Sequence, residues 1–346
     1  MLTFLFRGSS GICPHRCGHT SKLAEHFAQG PKPLQRTTEH SRSSLFSPRR
    51  DQERASRLEV DDDVTNLGPR EVAVRMLFAP INPSDINQVE GSYGVLPDLP
   101  AVGGNEGVGE ITAVGSDVTR LAVGDWAVPM PAAGFGTWTN LAKADASMLQ
   151  KCPSDIPPEY AATIGVNPCT AYRLLRDFET LHEGDTIIQN GANSQVGVAV
   201  IQMARDMGVR TINVVRERPP GDDTVELLKS LGADVVVTPV LMGNPEEYAQ
   251  AVAGLPLPRL GLNCVGGSIA TSVAQALDDG GALVSYGGMS LRPITLPATI
   301  LQNDPSQALT FTTSLSRGAG QRNTVRRVLD NAVDAGTPEA GAGGHD

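Results

Sequence analysis

At 346 residues, 40% hydrophobic and 19% charged, the chain is long enough for two domains and has the make-up of an ordinary globular protein, which excludes wholesale disorder. No run of about 18 apolar residues occurs, so no bilayer-spanning helix is expected. A net charge of −10 with only 4% aromatics argues against a nucleic-acid partner, which would need surplus Lys and Arg for phosphates and rings for bases.

The first fifty residues differ from the rest. They hold Arg7, Arg16, Lys22, Lys32, Arg36, Arg42, Arg49 and Arg50 against only Glu25 and Glu39, and are rich in serine. A basic, Ser-rich, acid-poor leader without an apolar core predicts a mitochondrial targeting or disordered segment over 1–50. The remainder keeps 20 basic against 36 acidic residues, so an acidic partner must meet a local basic patch. Five dispersed cysteines (Cys13, Cys17, Cys152, Cys169, Cys264) do not form a disulfide framework and suit a reducing compartment. Cys13 and Cys17 with His15 and His19 lack the distant second half of a structural zinc site, so no metal is expected.

Residues 70–150 read as short strands separated by Gly- and Pro-rich turns: 71–83, 107–115, 125–130 and 138–145. Residues 155–178 read as helical, with Asp155 as a cap. From 184 onward the grammar becomes strand and helix in alternation: strands at 186–192, 211–219, 234–239, 260–267 and 282–288, helices at 196–208, 225–233, near 245–253 and near 269–279. Five parallel-type strands with four intervening helices imply an α/β, doubly wound sheet. The tail from about Thr310 turns Gly-, Ala-, Ser- and Arg-rich around one possible helix over 324–335 and reads as poorly packed.

Between the first of these strands and its helix lies a small-residue turn, Ala192-Asn193-Ser194-Gln195-Val196-Gly197. A dinucleotide pyrophosphate lies in such a turn, on exposed N–H groups at a helix's positive end. The strict G-x-G-x-x-G pattern survives only at Gly197, so the turn's context carries the reading. The second strand runs into Arg216-Glu217-Arg218, where an NAD-specific protein would place an acidic residue for the ribose 2′-hydroxyl. Two guanidiniums there favour a 2′-phosphate, hence NADP; a solvated charged turn is the bland alternative. Gly287, Gly288 and Met289, after the last strand, form another crest at the carboxyl edge of the sheet.

The segments APINPSDINQVEGSYGVLPDLPAVGGNEGVGEITAVG, GVNPCTAYRLL, QNGANSQVG, INVVRERP, LKSLGAD, LNCVGG and SYGGM, in this order over residues 70–300, resemble the mitochondrial 2-enoyl thioester reductases, zinc-free members of the medium-chain dehydrogenase/reductase superfamily. The resemblance implies a GroES-like β-rich catalytic domain over 70–160 and a Rossmann cofactor domain over 161–300, both incomplete, and a divergent tail over 301–346. It implies NADPH as cofactor, an acyl-carrier-protein or CoA thioester as substrate, and a homodimer. Tyr93, in GSYG, resembles the family's proton donor or electrostatic positioner; Asn167, in GVNPCT, a cofactor-contacting residue. Asn193 to Val196 would hold the pyrophosphate, Arg216 to Arg218 the 2′-phosphate side, and Tyr286 to Met289 the nicotinamide ring. Asn105 stands where zinc-dependent relatives carry a ligand His, and the NPSD segment lacks their Cys, so no catalytic zinc is expected. The residues before Glu71 show no recognisable form of the family's opening hairpin, and those after Met289 lack its sixth strand. An NADPH:quinone or enone reductase, and an inactive isoform that only binds cofactor or a partner, remain as alternatives.

Overall fold

The structure, a computed structural model, describes residues 41–45, 57–59, 66–130 and 136–296. The cysteine pair at 13 and 17, the divergent tail over 301–346 and its helix over 324–335 lie outside the described residues.

Strand β1 (Ser41–Leu45) pairs antiparallel with β2 (Arg57–Glu59) and with β4 (Ala101–Val102). An antiparallel opening pair therefore exists ahead of Glu71, and part of it comes from within the basic leader. Its sequences, SRSSL and RLE, are too polar and short for period-two reading to register.

The catalytic sheet is antiparallel, in the order β7 (Leu141–Asp145), β3 (Glu71–Phe78), β5 (Val108–Val114), β6 (Trp126–Pro129), β8 (Leu149–Cys152). Val72, Val74, Ile111 and Leu149 form its buried layer. The first long strand stops at Phe78, short of the expected residue 83. Pro80 and Pro83 have no N–H for the ladder, and Pro83 instead takes the first position of helix α1 (Pro83–Val89), where a missing N–H costs nothing. The helical stretch expected over 155–178 divides into α2 (Pro158–Thr163) and α3 (Asn167–Leu174). Gly165 falls in the break, Pro168 lies in the first turn of α3, and the cap of α2 is Pro157 rather than Asp155.

The second sheet is wholly parallel, in the order β11 (Val235–Val237), β10 (Arg210–Val214), β9 (Thr186–Asn190), β12 (Pro258–Asn263), β13 (Ala282–Ser285). Helices α4 (Gln195–Asp206), α5 (Thr224–Ser230), α6 (Pro239–Met242), α7 (Pro245–Ala251) and α8 (Gly267–Gln275) connect these strands. This is the doubly wound order, with strand succession reversing between β9 and β12. Ile187, Ile188, Leu260, Leu262 and Val284 are fully buried, as a sheet covered on both faces requires. Each such side chain contributes roughly 1.5–3 kcal/mol relative to exposure. Helix α3 packs on α4 through Ala171, Leu174 and Leu175 against Val196, Ala199 and Val200, which fixes the start of α3 relative to the cofactor-type turn.

Candidate functional site

The crevice at the strand reversal is built from the carboxyl ends of β9, β10, β12 and β13. After the buried strand Thr186–Asn190, Gly191 adopts φ +60° and Ser194 caps α4 by accepting from Gly197 N–H at 3.1 Å. A Cβ on Gly197 would lie 2.5 Å from the Ala192 carbonyl oxygen, so the one glycine surviving from the fingerprint permits close helix–strand approach. Val196 is buried in the core and can offer only backbone to a ligand; Asn193, Ser194 and Gln195 are partly exposed.

Buried amides tie the strand ends together. Gln189 Nε2 donates to Asn213 Oδ1 (2.8 Å) and to the Gly197 carbonyl (3.0 Å). Asn190 Nδ2 donates to Asn263 Oδ1 (2.7 Å), and Asn263 Nδ2 donates to Ser285 Oγ (2.9 Å). The crest after β13 rests on this frame. Tyr286 N–H donates to the Asn263 carbonyl (2.9 Å) and Met289 N–H to the Cys264 carbonyl (3.0 Å). Gly287 passes so close that a Cβ would lie 3.0 Å from that same carbonyl oxygen. Met289 is exposed, whereas the Tyr286 ring packs into the core under α4. The Tyr286 hydroxyl is buried beside Cys264 and Ser194 without completing a hydrogen bond, and burial holds its phenol well above the ordinary value. Of the crest residues expected at the ring, Gly287, Gly288 and Met289 are exposed, and Tyr286 is partly buried against the core.

Beyond β10, Arg216 is exposed and Arg218 partly buried, its Nε buried without a hydrogen-bond partner. Glu217, grouped with them from the sequence, has another partner. It accepts from Val240 N–H at 3.2 Å at the start of α6, and backbone and Thr238 hydrogen bonds hold its carboxyl below the ordinary range. Its carboxyl is thereby drawn to the start of α6, and the carboxylate that interacts with Arg218 is Asp222.

A second cluster, on the catalytic-domain side, was not legible in the sequence. Glu106 is 2% exposed and accepts from Asn82 Nδ2 (2.9 Å) and from Val166 N–H at the start of α3 (2.7 Å). Burial pushes its carboxyl up to about 7; the hydrogen bonds from Asn82 and Val166 oppose the rise, and nearby Asp85 adds to it. Asn82 Oδ1 in turn accepts from Asn167 Nδ2 at 3.2 Å. Asp85, equally buried, accepts from Asn82 N–H (2.6 Å) and from Asn105 Nδ2 (2.5 Å). Asn105 also donates to Gln88 Oε1 (2.8 Å), so the residue at the place of a zinc ligand is committed to amide and carboxylate partners. Among the described residues no group of three or more His, Cys, Asp or Glu could hold a metal. A carboxylate in a Gly-rich run just ahead of a strand as apolar as VGEITAV was the only signal available for Glu106.

Helix α1 joins the two predicted functional residues of this side. Its cap Asn82 touches Asn167, and its far end carries the loop of Tyr93, whose N–H donates to the Asn87 carbonyl at 3.1 Å. Seven helical residues span roughly 10 Å. Tyr93 is 41% exposed, and Phe78, Ile81, Ile86, Val95, Leu96 and Leu99 are exposed apolar residues on the same stretch of chain.

The cradle fits NADP on three counts: backbone at Gly197 and Gly287 that no side chain could share, the N-terminus of a twelve-residue helix, and a buried unpartnered guanidinium nitrogen at Arg218.

Comparison with known proteins gives matches to both halves. Residues 68–154 match the alcohol dehydrogenase GroES-like domain, and residues 196–333 match the family described as zinc-binding dehydrogenase, a match that runs into the segment read as divergent. A Xenopus tropicalis protein named mitochondrial enoyl-acyl-carrier-protein reductase is 53% identical over 239 residues, 69% of this chain and 68% of that protein. The chain spans about two thirds of the length of the curated relatives it matches. Among solved structures, the mitochondrial 2-enoyl thioester reductase Etr1p/Etr2p heterodimer from Candida tropicalis aligns with a TM-score of 0.76 at 30% identity, covering 86% of this chain and 90% of that one. A structure described as an Etr1p/NADP/crotonyl-CoA complex aligns equally well, at 31% identity and the same coverage.

Proposed function

Because the chain belongs to the mitochondrial enoyl-acyl-carrier-protein reductases, with their GroES-like and Rossmann domains, we propose that it reduces trans-2-enoyl thioesters to acyl thioesters in mitochondrial fatty acid synthesis. The observation that supports this reading is a hydrogen-bonded link from α3 to the tyrosine loop: Asn167 donates to Asn82, the cap of α1, and α1 ends at the loop whose Tyr93 N–H donates to the Asn87 carbonyl. Bound NADPH supplies the hydride that adds to the β-carbon of the substrate. The chain then has to place a proton on the α-carbon of the resulting enolate, and the Tyr93 hydroxyl is the donor assigned to that step. Asn193, Ser194, Gln195 and the Val196 backbone hold the pyrophosphate, Arg216 and Arg218 take the 2′-phosphate, and Gly287, Gly288 and Met289 flank the ring. Glu217 serves this site indirectly, by fixing the strand end against α6. The exposed apolar residues around Tyr93 suit an acyl chain, and the acyl group arrives on CoA or on an acyl carrier protein. Assembly as a homodimer is part of the same reading.

The test is NADPH oxidation with trans-2-hexenoyl-CoA, followed by absorbance, for the wild type and Tyr93→Phe. A loss of about 10²-fold or more in kcat for the variant, at unchanged NADPH affinity, supports Tyr93 as proton donor. Turnover with a quinone but not with the enoyl thioester would replace this reading with a quinone reductase, and NADPH binding without any turnover would replace it with a cofactor-binding isoform.

A further inference from the structure

We infer that Glu106 is a positioning residue which sets the direction of an amide relay, Glu106 to Asn82 to Asn167, and thereby makes Asn167 offer its carbonyl oxygen to the cofactor. A carboxylate can only accept hydrogen bonds, and Glu106 uses one oxygen for Val166 N–H and the other for Asn82 Nδ2. With the Asn82 amino group fixed on Glu106, its Oδ1 is left facing Asn167, which must answer with Nδ2. The Asn167 oxygen then remains to accept from a hydroxyl or amide N–H of the nicotinamide riboside half. Asp85 locks the middle of the relay by accepting the Asn82 backbone N–H at 2.6 Å. Glu106 Oε1, by accepting from Val166 N–H, also anchors the cap of α3, the helix that packs on the pyrophosphate helix α4. Nothing at Glu106 contacts the reacting atoms; it acts through Asn82 and Asn167.

The direction of the relay depends on the proton count of Glu106. When ionised it is an acceptor at both oxygens; when protonated it has a donor to place, and the Asn82 and Asn167 amides lose the bias that holds them. The titratable groups facing it are Asp85 from α1 and Cys169 from α3, the latter a neutral thiol pushed up to about 12 by burial and by Glu106 itself. Among the described residues Asp85 is therefore the charge that moves its titration, and Glu106 changes state near pH 7.

The turnover part of this inference rests on the reductase reading; the binding part does not. The experiment is NADPH affinity by nucleotide fluorescence from pH 6 to 8.5 for the wild type and Glu106→Gln, whose amide nitrogen must donate to Asn82 and so reverses the relay. Taking the ratio of the two Kd values cancels the titration of the 2′-phosphate, which both proteins share. The ratio is expected to be about 10-fold at pH 8.5 and to fall towards one below pH 6. A ratio that is unity throughout, or large but independent of pH, overturns the inference. Asp85→Asn, which keeps Glu106 and removes the neighbouring charge, should move the wild-type transition to lower pH; an unmoved transition overturns it as well, even if Glu106→Gln fails to fold. A wild type that shows this binding behaviour without reducing an enoyl thioester would sink the reductase reading and leave the relay standing.

Discussion

Arg216 and Arg218 follow β10 with their neighbour Glu217 drawn to α6, so two guanidiniums remain at this strand end, with the Asp222 carboxylate near Arg218. A phosphate taken between two guanidiniums gains charge-assisted hydrogen bonds worth about 1.5–3 kcal/mol each. Replacing both arginines by alanine should raise KM for NADPH by about 10²-fold or more and leave KM for NADH nearly unchanged, in steady-state assays run side by side. Equal loss with both nucleotides would mean the arginines hold something other than the 2′-phosphate. The charges themselves were legible because they stand in sequence just after a strand. Glu217 was less so, since whether a carboxylate turns towards a ribose or a neighbouring helix is decided by Val240 in α6, 23 residues further on.

At the scale of elements, strands and helices of the Rossmann half were readable because most are short apolar runs closed by a Gly or Pro turn, and nearly every expected segment reappears a few residues shorter. The catalytic half was harder. Helix α1 hides in PSDINQV, whose polar residues look like a turn until Asp85 is seen to accept from both Asn82 and Asn105. Strand β8 is four residues long and is identified by its pairing with β6, a long-range partner that local pattern cannot supply. Gly197 shows how closely the turn at α4 is built. Gly197→Ala forces a methyl group to 2.5 Å from the Ala192 carbonyl oxygen, so the helix must shift off the strand. The expected cost is about 1–3 kcal/mol in urea unfolding, the usual range for overpacking, accompanied by loss of NADPH affinity at the displaced helix end. Retained affinity in the destabilised variant would show that the helix terminus does not hold the pyrophosphate.

For the molecule as a whole, one buried carboxyl makes global stability depend on pH in an unusual direction. Glu106 has a folded-state pKa of about 7 against an ordinary 4.5, so between these values the folded chain binds more protons than the unfolded one. Its contribution is greatest below pH 4.5, declines as pH rises through that window, and is lost above 7. Two to three pH units at 1.4 kcal/mol per unit make the effect on the order of 3 kcal/mol. Urea midpoints of the wild type, compared with those of Glu106→Gln, should carry this extra downward slope between pH 4.5 and 7, and the two curves should run parallel above pH 7.5. Parallel curves throughout would place the Glu106 pKa at an ordinary value. The fold therefore keeps a carboxylate that burial disfavours at neutral pH, which is reasonable only if its charge is used.

Helix α1 is anchored at both ends, at Asn82 by the relay and at its far end by the loop that presents Tyr93. An added or deleted residue would lengthen or shorten it by 1.5 Å and turn everything beyond by 100°. Over evolutionary time the length of this segment should thus be frozen while its exposed positions, such as Ile86, drift. Homologues that insert a residue between the counterparts of Asn82 and Tyr93 would be expected to have changed chemistry along with it.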